Sequence, residues 1–266
     1  MDYRGKRIII TGGSAGIGLE LALELARRGA RLGLLARTPE TLDLAAQACR
    51  SAGGEAHWAA CDVTDAAALG TAIDALHAAL GGLDGVVANS GYCHAGNFHE
   101  ISIEDGARQL DTNLKGAVHT LRHALPLLLE NGGFIAITSS PAGSAAIYGF
   151  SLYGATKAAL NQLAHTLRHE YCDRGISVHL LLPPDTDTPG YAKEVDLYPP
   201  ETRAILSGGA LLQPGPVAKR FADGIARGEK QIAVGLEARV LLKVVRHAPW
   251  IWEWYTRRQV QRARRG

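Results

Sequence analysis

Cysteine is scarce and never paired. Cys49, Cys61, Cys93 and Cys172 are spread through 266 residues with no CxxC. That excludes a disulfide framework of closely spaced bridges and favours buried free thiols in a reducing compartment. No apolar run approaches the ~18 residues of a membrane-spanning helix, and the run from Val240 to Val245 is broken by Lys243. A strand pattern begins within the first ten residues, so no secretory signal is expected. A net charge of +2 gives no general reason to expect a nucleic-acid partner. Two histidine pairs at helical spacing, His119/His123 and His165/His169, have neither the glutamate of HExxH nor an evident third ligand, so no metal is expected. No internal repeat is visible.

What is present is globular: 47% hydrophobic and 20% charged residues, ample for one buried core. The positive excess is local. Residues 257–266 hold five arginines and no acid, and without them the net charge falls from +2 to −3. Trp250, Trp252 and Trp254 stand directly before that run. An aromatic and arginine-rich extension (236–266) has two readings: contact with an anionic membrane surface, or packing on a partner subunit.

From residue 7 to 234 the hydrophobic period alternates between strand and helix. Strands are expected at Arg7–Thr11, Arg31–Ala36, Glu55–Cys61, Gly85–Ala88, Gly133–Ser139, Ser177–Leu182 and Gln231–Val234. Between them helices are expected at Ile17–Arg28, Thr41–Ala52, Ala66–Leu80, Ile103–Leu129, Tyr153–Arg174 and Gly215–Arg227. This alternation predicts a single α/β domain with a doubly wound, Rossmann-type parallel sheet, its crevice beyond the carboxyl ends of the strands. The stretch at about 190–216, rich in Gly, Pro and apolar side chains, breaks the rhythm and reads as a substrate lid.

Thr11 to Gly18 reads TGGSAGIG between the first strand and first helix. Gly12 suits a tight turn, Gly16 a close approach by a pyrophosphate, and Gly18 close packing of helix on sheet, with Ser14, Ala15 and Ile17 completing the phosphate cradle at the helix N-terminus. At the end of the second strand, where an acid would hold a ribose 2′-hydroxyl, stand Ala36 and Arg37. A neutral residue followed by a guanidinium predicts NADP(H). Asp62, with Val63 after the third strand, is placed either to meet the adenine amine or to cap the next helix. Asn89 and Gly91 follow the fourth strand and are expected beneath the cofactor.

The chemistry is expected from Asn113, Ser140, Tyr153 and Lys157. Tyr153 and Lys157, four apart in YGATK, share a helix face, and an ammonium there should lower the tyrosine pKa toward useful acid–base range. Ser140 follows the fifth strand, held extended by Pro141, and can hydrogen-bond a substrate oxygen. Ser139 stands close enough in sequence to compete for that role. Asn113 is expected to anchor a water leading from Lys157.

These motifs together, TGGSAGIG, the Asp62 position, ANSG, Asn113, SSPAG and YGATK, resemble the short-chain dehydrogenase/reductase family over residues 5 to about 235. The resemblance implies that Ser140 stabilises the substrate oxygen and Tyr153 transfers the proton. It further implies that Lys157 binds ribose and tunes Tyr153, that Tyr153 and Lys157 also touch the cofactor, and that Asn113 supports a proton relay. It also implies a homo-oligomer, dimer or tetramer. Ala88 departs from the family's usual Asn. A narrower resemblance, carried by PPDTDTPG at Pro183–Gly190 and the segment that follows, is to the 3-ketodihydrosphingosine reductase branch. It implies NADPH-dependent reduction of a lipid ketone in the cytoplasm, either free or at a membrane surface. The other reading is an enzyme of the same family for another apolar ketone or alcohol. Thr186 and Thr188 then fall where the family contacts the nicotinamide carboxamide. Thr41 departs from an expected Lys near the 2′-phosphate. Asp185 and Asp187, beside those threonines, would either brace the turn or meet a substrate ammonium.

Overall fold

In the computed structural model, residues 1–265 are described. Seven strands form one sheet, and every neighbouring pair is parallel. They are β1 (Arg7–Thr11), β2 (Arg31–Ala36), β3 (Glu55–Ala60), β4 (Gly85–Ala88), β5 (Gly133–Thr138), β6 (Ile176–Leu182) and β7 (Gln231–Ala233). The spatial order is β3-β2-β1-β4-β5-β6-β7. The order reverses between β1 and β4, which opens the crevice there.

The central strands read as nearly unbroken apolar runs because both faces of a parallel sheet are covered. Ile8 and Ile10 of β1 join one core with helices α1 (Gly16–Arg27) and α2 (Pro39–Ser51), while Ile9 points to the opposite core. That second core is closed by α3 (Ala66–Leu80), the helix that includes Leu121 and Leu128, and the helix that includes Leu160 and Leu167. Alternation of side chains across each strand thus supplies two layers of helices from one sheet.

The expected long helix from Ile103 is interrupted. It begins as α4 (Ile103–Leu110), capped by the Ser102 hydroxyl accepting from the Asp105 N–H at 3.0 Å. It widens into a π-helical segment at Asp111–Lys115, then continues as α5 (Gly116–Asn131). The wider turn rotates Asn113 inward, where it is fully buried. After α6 (Ser151–Glu170), the lid holds two short helices, α7 (Pro189–Val195) and α8 (Pro200–Leu206), before α9 (Pro214–Ala226). The extension folds as α10 (Leu236–His247) and α11 (Pro249–Ala263).

Neither sequence reading of the extension described its main contacts, which are with the chain's own lid and with the segment between β5 and α6. Trp252 Nε1 donates to the Ala146 carbonyl at 2.8 Å, the Tyr255 hydroxyl to the Ile205 carbonyl at 3.2 Å, and Arg264 Nε to Glu201 Oε1 at 3.0 Å. Arg264 is therefore paired, not merely solvated. No described helix is long and apolar enough to cross a membrane. The His119/His123 pair is also used within the chain. His119 Nδ1 lies 3.1 Å from the Val63 carbonyl, and His123 packs against Gly70 of α3.

Candidate active site

The glycine turn is built as the motif requires. Gly12 and Gly16 hold positive φ angles of 67° and 54°, a region that disfavours side chains. A Cβ on Gly18 would sit 2.1 Å from the Gly12 carbonyl oxygen, so no larger residue fits. The N-cap residue Ala15 makes no side-chain cap. The first N–H groups of α1 therefore remain free for an anion. A Cβ on Gly16 would meet the Thr188 methyl at 3.2 Å, showing that the segment after β6 closes over this turn. A cradle that only glycine can form, with unspent N–H groups, fits a dinucleotide pyrophosphate.

The surrounding residues divide by task. Arg37 is exposed at the crevice edge, without an acidic partner among the described residues. Thr41 does not supply a second polar contact, because its hydroxyl donates to the Thr38 carbonyl at 3.0 Å. Asp62 lines the crevice while its Oδ1 accepts from the Thr64 N–H and hydroxyl at 2.9 and 2.8 Å. It braces its own turn; the cap of α3 is Asp65, accepting from Ala68 N–H at 3.0 Å. Val63 is buried beside Gly116. Asn89 has a structural use that the sequence reading missed. Its backbone N–H donates to Thr11 Oγ1 at 3.0 Å, and its side-chain amide donates to the Thr11 carbonyl at 3.2 Å. Its Oδ1 accepts from the Thr138 hydroxyl at 3.1 Å. Asn89 thus ties the ends of β1, β4 and β5 together.

Asn113 likewise acts on backbone. Its Oδ1 accepts from the Tyr92 N–H at 3.0 Å and its Nδ2 donates to the Tyr92 carbonyl at 2.8 Å. Gly91 passes between Asn113 and Lys157: a Cβ there would lie 3.0 Å from Asn113 Oδ1 and 3.5 Å from Lys157 Nζ. The asparagine holds this loop where it borders the lysine.

The two serines separate cleanly. Ser139 is buried and donates toward the Lys157 carbonyl at 3.1 Å and Asn161 Oδ1 at 2.6 Å, clamping β5 to α6. Ser140 is extended, at φ −161° and ψ 156°, as the following proline demands. Its hydroxyl caps the short 3-10 turn at Pro141–Gly143, accepting from the Ala142 N–H at 3.2 Å, and lies close enough to the Tyr153 phenol to pull its pKa down. Ser140, not Ser139, faces the tyrosine.

Lys157 Nζ donates to the Thr138 carbonyl at 3.0 Å and lies 5.5 Å from the centre of the Tyr153 ring. Burial brings its pKa down to about 8, against the opposing pull of the Glu194 carboxylate. Tyr153 departs from the sequence expectation. Its pKa is raised, not lowered: burial dominates, the carboxylate charges of Glu194 and Asp185 add to it, and the Ser140 contact opposes.

Thr186 and Thr188 both line the crevice, but each hydroxyl already has a backbone partner. Thr186 donates to the Pro184 carbonyl at 2.7 Å, and Thr188 caps α7 by accepting from the Tyr191 N–H at 3.1 Å. The two aspartates diverge. Asp187 is exposed and accepts from Gln213 Nε2 at 3.0 Å, whereas Asp185 faces the crevice. Glu194, which the sequence reading passed over, also faces it. Its Oε1 accepts from the Cys93 N–H at 2.7 Å, linking lid helix α7 to the loop after β4. The signal was present: Thr188-Pro189 reads as a helix cap and first residue, and Tyr191 and Glu194 then share a face at i, i+3.

A single cavity of about 1660 Å³ joins these parts, running from Gly12 and Arg37 past Ser140, Tyr153 and Lys157 to the lid and extension. Its outer wall is apolar, with Leu206, Leu241, Val244, Ile251 and Trp252. Above Tyr153, Phe150 packs edge-to-face on both Tyr153 and Tyr198, at centroid distances of 5.5 and 5.4 Å.

Residues 6–197 match the family model for short chain dehydrogenases. A 3-dehydrosphinganine reductase of Arabidopsis thaliana is 37% identical over 229 residues, covering 84% of this chain and 68% of the relative. A 3-ketodihydrosphingosine reductase of Bos taurus is 30% identical over 243 residues, covering 89% and 73%. Among solved structures, a short-chain type dehydrogenase/reductase from Mycobacterium marinum has a TM-score of 0.76 at 28% identity, over 83% of this chain and 88% of that one. A 3-ketoacyl-(acyl-carrier-protein) reductase from Brucella melitensis, complexed with NADH, has a TM-score of 0.76 at 25% identity, over 86% and 93%. With its parallel sheet, its glycine cradle and its serine, tyrosine and lysine converging in one crevice, the chain belongs to the short-chain dehydrogenase/reductase family, nicotinamide-dependent oxidoreductases acting on a carbonyl or alcohol carbon.

Proposed function

We propose that this enzyme reduces 3-ketosphinganine to sphinganine with NADPH. The observation that carries the reading is the continuity of one cavity from the polar Ser140–Tyr153–Lys157 end to an apolar wall built by the lid and the C-terminal extension. A reactive head can sit at the tyrosine while an alkyl chain leaves along that wall, each buried methylene contributing about 0.8 kcal/mol. The names of the relatives from plant and mammal support the same substrate.

The glycine turn, Asp62, Val63, Asn89, Gly91, Thr186 and Thr188 border the place for the nucleotide, and Arg37 is the group offered to a 2′-phosphate. The bound nucleotide supplies a hydride to the carbonyl carbon. Ser140 and Tyr153 hold the carbonyl oxygen, Tyr153 releases its proton to that oxygen, and Lys157 favours the resulting phenolate by its charge. Asn113 keeps the Gly91–Tyr92 backbone against Lys157, a positioning task. NADPH oxidation, followed at the nicotinamide absorbance across a panel of ketones, tests the reading. 3-Ketosphinganine should be the best substrate, and Tyr153→Phe should abolish turnover while NADPH still binds. Preference for a steroid or a short ketone would refute it.

We also propose a peripheral membrane role for the extension, and a cytoplasmic homo-oligomer as the family resemblance implies. Trp250 and Trp254 are exposed, and Arg257, Arg258, Arg262 and Arg265 follow with no described salt bridge. Tryptophan suits the headgroup level and arginine the lipid phosphates. Salt-sensitive sedimentation with anionic vesicles, absent with neutral ones, is the expected result.

A further inference from the structure

We propose that Asp185 and Glu194 receive a cationic nitrogen beside the reacting carbonyl, and so select an amino ketone over an otherwise equal plain ketone. This rests on the substrate reading above and assigns its polar specificity.

Both carboxylates line the same cavity as Tyr153, one from the segment after β6 and one from lid helix α7. Asp185 makes no side-chain hydrogen bond among the described residues, although its backbone carbonyl is held by the Leu212 N–H at 3.0 Å. Glu194 spends one oxygen on the Cys93 N–H, and its other oxygen has no partner among the described residues. Neither forms a salt bridge within the described chain. Two half-buried carboxylates without an ion-pair partner are costly to keep charged: burial raises both pKa values, and at Glu194 it outweighs the opposing pull of the Cys93 N–H and the Lys157 ammonium. Such a pair is offset by an incoming cation.

Position makes that cation specific. Both carboxylates lie near enough to the Tyr153 phenol for their charge to raise its pKa. In the empty site they therefore oppose formation of the phenolate that proton donation leaves behind. An ammonium one carbon from the carbonyl would sit between the carboxylates and the tyrosine oxygen, cancel their field there, and add an attractive charge of its own. The same two residues would then bind the amine and remove an obstacle to the proton transfer. A ketone without the amine leaves the obstacle in place. Asp187, although adjacent in sequence, is exposed and tied to Gln213, and has no part in this.

The test has two arms, with Glu194→Gln and Asp185→Asn as near-isosteric variants whose folding is checked by NADPH binding. In the first, kcat/KM is compared for 3-ketosphinganine and its deaminated analogue. The wild type should favour the amine, and each variant should lower that ratio about 10-fold or more, the size of a charge-assisted contact. In the second, a saturated C18 amine and the matching C18 alcohol are tested as inhibitors against whichever ketone the enzyme turns over. The amine should inhibit more strongly, and the variants should erase the difference. If 3-ketosphinganine is not reduced but the amine still inhibits preferentially through these residues, the substrate reading fails and the cation site stands. If amine and alcohol inhibit alike, or the variants keep the wild-type ratios, the cation site is wrong.

Discussion

Adjacent serines at the end of β5 offer a sharp trial of the site. Ser140→Ala removes a hydroxyl that lies close to Tyr153 and, in the proposed chemistry, holds the carbonyl oxygen. Loss of one preorganised donor at a developing oxyanion typically lowers kcat about 10²–10³-fold. The variant loses only a 3.2 Å cap on a three-residue turn, so its melting temperature should hardly change. Ser139→Ala should do the reverse. It removes a buried donor to Asn161 Oδ1 and to the Lys157 carbonyl. A lost buried hydrogen bond costs about 1–3 kcal/mol, and at about 2–4 °C per kcal/mol for a domain approaching this size, melting should fall by several degrees. Turnover at low temperature should persist within roughly tenfold, because Lys157 keeps its bond to Thr138. Thermal melts and steady-state kinetics of the two proteins decide the matter. If Ser139→Ala abolishes turnover without destabilising the protein, while Ser140→Ala is active, the assignment is reversed.

Arg37→Ala should lower the preference for NADPH over NADH. Because Arg37 is exposed, the loss belongs at the weak end of a charge-assisted contact, about 1.5 kcal/mol or roughly tenfold. Equal use of both nucleotides by the wild type would remove its role. Lys157 is charged below its pKa of about 8 and neutral above it, so kcat/KM should fall as pH rises through that value; a flat profile to pH 10 would show that its charge is dispensable. Removing α11 by ending the chain after Ala248 should weaken the dependence of KM on alkyl chain length, since Ile251, Trp252 and Tyr255 leave the cavity wall. An unchanged dependence over a ketone series would place the chain elsewhere.

The sheet was legible because parallel strands and their covering helices have distinct hydrophobic periods. β1, β2 and α3 occur with the bounds that period suggests. The glycine turn and the Tyr153–Lys157 pair were legible because steric limits and helical spacing leave few alternatives. Three things were not. The π-helical segment at Asp111–Lys115 has no period of its own in five residues, so Asn113 read as one position on a continuous helix. The rise in the Tyr153 pKa depends on burial and on Glu194, brought in from residues forty positions away by the lid. The place of α11 depends on tertiary bonds from Trp252, Tyr255 and Arg264, residue types whose clustering equally fits a lipid surface.

One helix, α6, sets most of the geometry of the candidate site. Ser139 fixes β5 to the Lys157 carbonyl, and Lys157 reaches back to the carbonyl of Thr138 on the same strand. A Cβ on Gly143 would come within 2.7 Å of the Lys157 backbone, so the turn after Ser140 is pressed against that helix as well. Asn113 holds the third piece, the Gly91–Tyr92 backbone, and donates weakly to Thr156 of α6 at 3.4 Å. These contacts lie on the sheet side of the crevice. The lid and the extension close the other side through the Glu194–Cys93 link, the Trp252–Ala146 bond and the Arg264–Glu201 pair. The positions of Ser140, Tyr153 and Lys157 are thus set by packing that the lid does not share, while the lid acts on Tyr153 through the charge of Glu194. Exchange of lid and extension residues can change which ketone fits while leaving Tyr153, Lys157 and Ser140 in place, which is how a shared reaction comes to serve different substrates.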